Sequence, residues 1–200
     1  MPKLTYTQVS LEDPEDIRPC EVRDLFDHWY LAGRIDAAPK RNELELSILR
    51  PLMENLALVQ VSVNPPDVRY HIVGEGLQRL LGVDPTGQRP HDIFLPKIAD
   101  DVCSAILKSF VVGQPSYEQC SFTIFGADIG YRRMLLPLAK EGVDTGYVII
   151  CAHPNQKWLQ SARDWQLRIL AASQGLSSMT ESAWEEWSEE MKASEEIALV

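Results

Sequence analysis

Arg69, His71, Arg132 and Arg133 are the residues most suggestive of chemistry, because each interrupts a run of β-branched, aromatic or aliphatic residues that reads as a strand. Facing a pocket, the arginines would suit an anionic small molecule through charge-assisted hydrogen bonds, and His71 would add a response near neutral pH. Facing outward, all four would coat a solvated or partner-covered side of a sheet, since arginine is seldom buried unpaired. Strict alternation groups Arg69 with His71, opposite Tyr70 and Ile72. The candidate ligand-binding residues are therefore Tyr70, His71, Arg133 and Phe122.

Other reactive residue types are present without the spacing that chemistry requires. Cys20, Cys103, Cys120 and Cys151 form no C-x-x-C pair, and three of them sit among apolar residues, which reads as packing rather than a disulfide or metal framework. Cys103, in Asp101-Val102-Cys103-Ser104, has no cation beside it in sequence to favour a thiolate. His28, His71, His91 and His153 are dispersed, with no i, i+4 pair for a helical zinc site, so no metal is expected. Gly74-Glu75-Gly76 imitates the start of a dinucleotide fingerprint, but Arg79 stands where the third glycine belongs and the preceding strand pairs as a hairpin. No phosphate-binding loop and no nucleophile elbow occurs, and Asp100-Asp101 reads as the wet face of a helix; no catalytic residue is assigned.

The elements that carry these residues follow from periodicity. Residues 1–17 read as a loose polar arm. Pro19 opens a helix with Val22, Leu25, Phe26 and Trp29 on one face and Gly33 as its stop. Asn42 and Glu45 have capping-box spacing ahead of a short helical stretch containing Leu44, Ile48, Leu49 and Leu52. Leu56–Val63 and Val68–Val73 form two strands around the turn Asn64-Pro65-Pro66-Asp67. A short helix at Leu77–Leu81 ends at Gly82, and Gly87 suits a positive φ. A longer helix spans Leu95–Val112, and strands follow at Tyr117–Phe125, Tyr131–Leu138 and Tyr147–Ala152. A helix at 154–175 carries Trp158, Trp165 and Ile169 in a narrow stripe, and an acidic tail occupies 176–200.

Two strands, a helical middle and a three-stranded meander, with the runs Arg69-Tyr70-His71-Ile72-Val73-Gly74, Leu80-Leu81-Gly82-Val83-Asp84-Pro85-Thr86-Gly87 and Arg132-Arg133-Met134-Leu135-Leu136-Pro137-Leu138 and the upstream segment Leu52–Val61, resemble the PAS superfamily. Within it the chain is similar to the bacterial stand-alone PAS-like proteins once catalogued as a domain of unknown function. The resemblance covers residues 20 to 153. It implies an α+β fold over 18–153, with a five-stranded antiparallel sheet, helices on one face, and flanking helices that signal and dimerise. Haem-binding members of that fold use a histidine on the helix corresponding to Leu95–Val112, which has none, and flavin photosensors use an Asn-Cys-Arg setting that is absent. No cofactor is expected.

Charge bounds the partners. The 200 residues carry −10, of which Gln174–Val200 contributes −6 from seven Glu against one Lys. That balance disfavours nucleic acid and anionic lipid, which need clustered cations. No stretch of about eighteen apolar residues and no basic-then-apolar leader is readable, so a cytoplasmic protein is expected. The function predicted is a non-enzymatic sensory or signalling adaptor binding a small molecule or a partner protein, homodimeric through Phe26, Trp29, Trp158 and Trp165. The alternatives are a pure protein-interaction module and an enzyme using the PAS pocket.

Overall fold

The computed structural model describes residues 5–10, 17, 20–33, 37–94, 96–124, 127–142 and 144–154. The elements are β1 (Thr5–Ser10), α1 (Cys20–Ala32), α2 (Leu46–Leu49), β2 (Leu56–Val63), β3 (Pro66–Val73), α3 (Glu75–Leu81), α4 (Pro96–Val112), β4 (Ser116–Ile124), β5 (Ala127–Pro137) and β6 (Thr145–Pro154). Short 3-10 turns stand at Arg41–Glu43, Arg50–Asn55 and Pro90–Asp92.

All pairings are antiparallel, and the sheet order is β1-β4-β5-β6-β2-β3. The five expected strands lie side by side, and the arm adds a sixth. Thr5–Ser10 pairs with Thr123–Glu118, so that part of the arm is a strand rather than a loose segment. Six residues are too few to display a period, yet Thr5-Tyr6-Thr7-Gln8-Val9 is rich in strand formers, and the outer edge of β4 offers unpaired main-chain groups.

The middle of the sheet is covered on both sides. On one face Val59, Val61, Tyr70, Leu135, Val148 and Ile150 pack under α3 and α4 through Leu80, Ile98, Val102, Ile106 and Phe110. On the other, Met134, Leu136, Ile149 and Cys151 pack under α1 through Val22, Leu25 and Trp29, with Leu44 and Leu52 beside them. Double burial explains why Arg133 to Leu138 is buried at every position, where a one-sided strand would alternate. The central helices α3 and α4 lie on one face, as expected, and the flanking helix α1 covers the other.

Trp29 is only 6% exposed and donates from Nε1 to the Pro137 carbonyl at 2.8 Å. It belongs to the core of its own chain, so the expected role for Trp29 between two subunits is corrected: almost none of its surface is left to offer a partner. Phe26 is half-buried and stacks on Tyr30, which is exposed. Trp158 and Trp165, the helix at 154–175 and the tail lie outside the described residues, apart from Pro154.

Two local expectations shift. Glu45 does not pair with Asn42 as a capping box; its N–H donates to His28 Nε2 at 3.0 Å, which fastens this segment to α1. The cap lies two residues earlier, where Lys40 N donates to Glu43 Oε2 at 2.7 Å. Between β2 and β3 the register slips at Leu58 and Val59, so that Leu58 opposes Ile72 while Val59 opposes Tyr70. His71 is the residue bulged out, and Ile72, expected beside Tyr70, is 53% exposed while Val73 turns inward.

The α3 junction is held by close main-chain approach. Gly74 N donates to Leu56 O at 2.8 Å, and a Cβ at Gly74 would stand 2.0 Å from Met53 O. The φ there is −67°, so lack of space rather than backbone conformation requires glycine. Gly87 is the opposite case, with φ +80° and nothing within 4 Å of a Cβ. Asp84 accepts from Thr86 N and Oγ1 at 3.0 and 2.7 Å, shaping the loop so that Gly87 N donates to Tyr70 O and Tyr70 N to Gln88 O. Asp67 clamps the same loop to β3, bonded to Arg89 at 2.7 Å and Arg69 at 2.9 Å.

Replacing Gly74 by Ala forces the strand-to-helix corner apart. The expected loss is ~1–3 kcal/mol of unfolding free energy in urea titration, in the range of an overpacked core site; Gly142→Ala, at an exposed position, serves as the control.

Candidate functional site

Between the α3/α4 layer and the sheet lies a cavity of ≈ 80 Å³. Apolar side chains make most of its wall: Leu77, Leu80, Phe94, Ile98, Val102 and Ile106 from the helical side, Leu135 and Ile150 from the sheet. Three polar side chains enter it, Tyr70 from β3 and Tyr131 and Arg133 from β5. Pro154, the last residue of β6, also lines it.

Arg133 is 3% exposed and is bonded to two carboxylates. Its Nε donates to Glu118 Oε2 at 2.5 Å from the neighbouring strand, and its Nη2 donates to Asp101 Oδ2 at 3.0 Å from α4. Glu118 is directly opposite Arg133 in the β4–β5 ladder and is itself 7% exposed. The guanidinium that was expected to meet an anion is engaged by two carboxylates and joins β4, β5 and α4.

The phenols are the other polar groups. Burial raises Tyr70 and Tyr131 well above the ordinary tyrosine range, so both stay neutral. Among the described residues no hydrogen bond engages the Tyr70 hydroxyl, which leaves it able to donate into the cavity.

Two of the four predicted ligand residues thus meet in this cavity, Tyr70 and Arg133. His71 does not: it stands with Arg69 on the outer side of β3, as alternation from the buried Tyr70 requires, and its ring is 5.4 Å from that of Tyr147. Phe122 lies in β4, opposite Ile129, and its side chain is outside what is described. Arg69 is exposed and bonded to Asp67, and alternation puts Arg132 on the α1 side, opposite His153. Tyr131, Glu118 and Asp101 were not among the predicted residues; Glu118, a charge inside a strand whose partner strand carries a buried arginine, was the available signal.

Cys103 does meet a base in space. Its Sγ is 3.8 Å from His91 Nδ1, and His91 Nε2 is 2.9 Å from Asp100. Burial, then the Asp100 carboxylate, nevertheless push the thiol up to about 11, which keeps it protonated and suits a packed residue. At the end of β6, Cys151 Sγ is 3.2 Å from His153 Nε2, and burial pushes this thiol up to about 12. Burial also lowers the pKa of His153, against a smaller opposing pull from Glu21 of α1. Among the described residues no three metal-ligating side chains stand together, and no helix is long and apolar enough to cross a membrane.

Five contiguous strands in the order β4-β5-β6-β2-β3, with helices enclosing a hollow against one face, fix the architecture. The fold is PAS-like. No protein-family model matches the sequence, and no curated protein matches it. Among solved structures the chain is similar to an RNA-binding light-oxygen-voltage receptor, at 16% identity and a TM-score of 0.41, over 86% of this chain and 44% of that one. The chain therefore spans less than half of that receptor's length.

Two outcomes follow from the charges. Arg133→Met strands Glu118 and Asp101 and is expected to cost ~3–5 kcal/mol in urea unfolding, as removal of one member of a buried ion pair does; adding Glu118→Gln restores part of it. For His153, the folded pKa lies below the unfolded value, so the unfolded chain binds the proton more readily and stability falls as pH drops below the ordinary histidine range. His153→Gln should flatten the pH dependence of the thermal midpoint between roughly pH 7 and 5.

Proposed function

We propose that the chain is a PAS-like sensory or signalling unit, non-catalytic, whose cavity takes a small, uncharged, mainly apolar molecule. The single observation carrying this is the composition of the wall: aliphatic and aromatic side chains, two neutral phenols, and an arginine already neutralised. A carbonyl or hydroxyl on the ligand would meet Tyr70 or Tyr131, and the rest would be held by burial of apolar surface. Size sets a second limit. A cavity of ≈ 80 Å³ is about half the ~150 Å³ that admits benzene in an engineered protein core. Anything larger requires α3 or Phe94 to move.

Such movement is the proposed signal. Pro154 touches the cavity and is the last residue of β6, while His153 beside it is under the electrostatic influence of Glu21 at the start of α1. Ligand occupancy would thereby bias how the leading and trailing segments pack. Homodimerisation through Phe26 of α1 and Trp158 and Trp165 of the trailing segment remains part of this proposal, with Tyr30 and Leu31, 68% and 80% exposed, as further apolar surface on α1. A cytoplasmic setting and a protein rather than nucleic acid or membrane as the downstream partner are consistent with the net charge of −10.

The small volume favours one second reading, an interaction module whose core is filled by its own side chains. Native mass spectrometry of freshly purified protein separates the two. The sensor reading expects a stoichiometric small-molecule adduct that disappears in Ala57→Leu, a substitution into the cavity wall, with unchanged circular dichroism. A parent protein with no adduct, and no thermal stabilisation by small neutral aromatics, would leave the module. An absorption band above about 350 nm would instead reveal haem or flavin and overturn the view of a cofactor-less cavity.

A further inference from the structure

A second concavity lies on the opposite side of the sheet, beyond the end of α1. It is an open groove of ≈ 460 Å³ walled by Leu44, Leu49, Met53, Leu58, Ile72 and Ile149. Met53 and Ile72 are 60% and 53% exposed, so the groove presents apolar surface to water without a side chain of the described residues to cover it. Its rim carries both signs of charge. Glu54 and Glu75 are both within ion-pair distance of Arg79, at 2.7 and 3.8 Å. Arg41 belongs to both the groove and an adjoining depression lined by Lys40, Lys140 and Glu141. Among the described residues none of these three cations has a carboxylate within 4 Å; Arg41 lies over the Tyr147 ring and Lys140 over Phe110. Three such cations stand out in a chain of net charge −10.

The sequence contains one segment with the matching chemistry. Trp184, Trp187 and Met191 recur at a spacing that would align them on one helical face, with Glu185, Glu186, Glu189 and Glu190 between them. We infer that this segment, residues 181–191 of the same chain, docks in the groove, its aromatic residues over Met53 and Ile72 and its glutamates toward Lys40, Arg41 and Lys140. The tether permits it. Trp184 lies thirty residue steps beyond Pro154, enough for about 45 Å even if each step rose only ~1.5 Å. Ile149 in the groove wall is five residues back along β6 from Pro154, about 17 Å at ~3.3 Å per residue. Tethering also raises the effective concentration of the segment to roughly millimolar, so a weak contact suffices. This inference is independent of whether the other cavity holds a ligand.

Carbodiimide coupling of the full-length protein tests it, because the reagent joins only lysines and carboxylates already in contact. Peptide mapping of the monomer band is expected to find Lys40 or Lys140 joined to Glu185, Glu186, Glu189 or Glu190, at yields independent of protein concentration. Ile72→Glu, at an exposed position, and Trp184→Ala/Trp187→Ala should each lower those yields at least about tenfold, the effect of losing one good apolar contact, with thermal midpoints unchanged. Couplings found only in the dimer band would assign the groove to a second copy's tail and overturn the inference. So would an absence of these couplings while Lys97 and Lys108 react, or yields unaffected by Ile72→Glu.

Discussion

Double coverage of β5 and β6 is the constraint on which the rest depends. A strand can be apolar on both sides only if something lies on each, and here α4 and α1 supply the two layers. Three consequences follow. The first helix becomes part of the domain, with Trp29 anchored to the Pro137 carbonyl. The face under α3 and α4 is left to enclose the cavity. The far strands β2 and β3, which α1 does not reach, keep a wet outer side where Arg69 and His71 stand.

Within the covered region the one costly feature is Arg133. A buried cation demands partners, and the chain supplies two acids from different elements, so the polar end of the cavity is a structural joint. An arginine read alone points to anions; in the structure the same arginine is held between Glu118 and Asp101. The cost of burying the three groups falls on stability, whereas their benefit is in fixing β4, β5 and α4 relative to one another.

Much of the architecture was legible because it is written in local patterns. The Asn64–Asp67 turn, the four-residue recurrence of Ile98, Val102, Ile106 and Phe110, and the glycines at 74, 82 and 87 each announce an element or its end within a few residues. What was not legible depends on distant contacts. Nothing near Trp29 says that its stripe meets β5 rather than another molecule. The bulge that turns Ile72 outward arises from the register between two strands, and strict alternation cannot show it. Arg133 could be seen as unusual, but its partners lie 15 and 32 residues away, and their pairing decides its role. Tyr131 was expected to open its strand, but β5 begins four residues earlier, at Ala127, which makes Tyr131 an interior position facing the cavity rather than a strand end.

The loop that folds back on β3 has a bearing on how these molecules associate. By donating Gly87 N to Tyr70 and accepting from Tyr70 at Gln88, it occupies the outermost main-chain ladder positions at the centre of that margin. A neighbouring chain seeking to extend the sheet there, as in fibril growth, would first have to unpeel this loop and break the Asp67–Arg89 clamp. Self-templating at that border therefore begins from a partly opened molecule, and the native form is guarded against it.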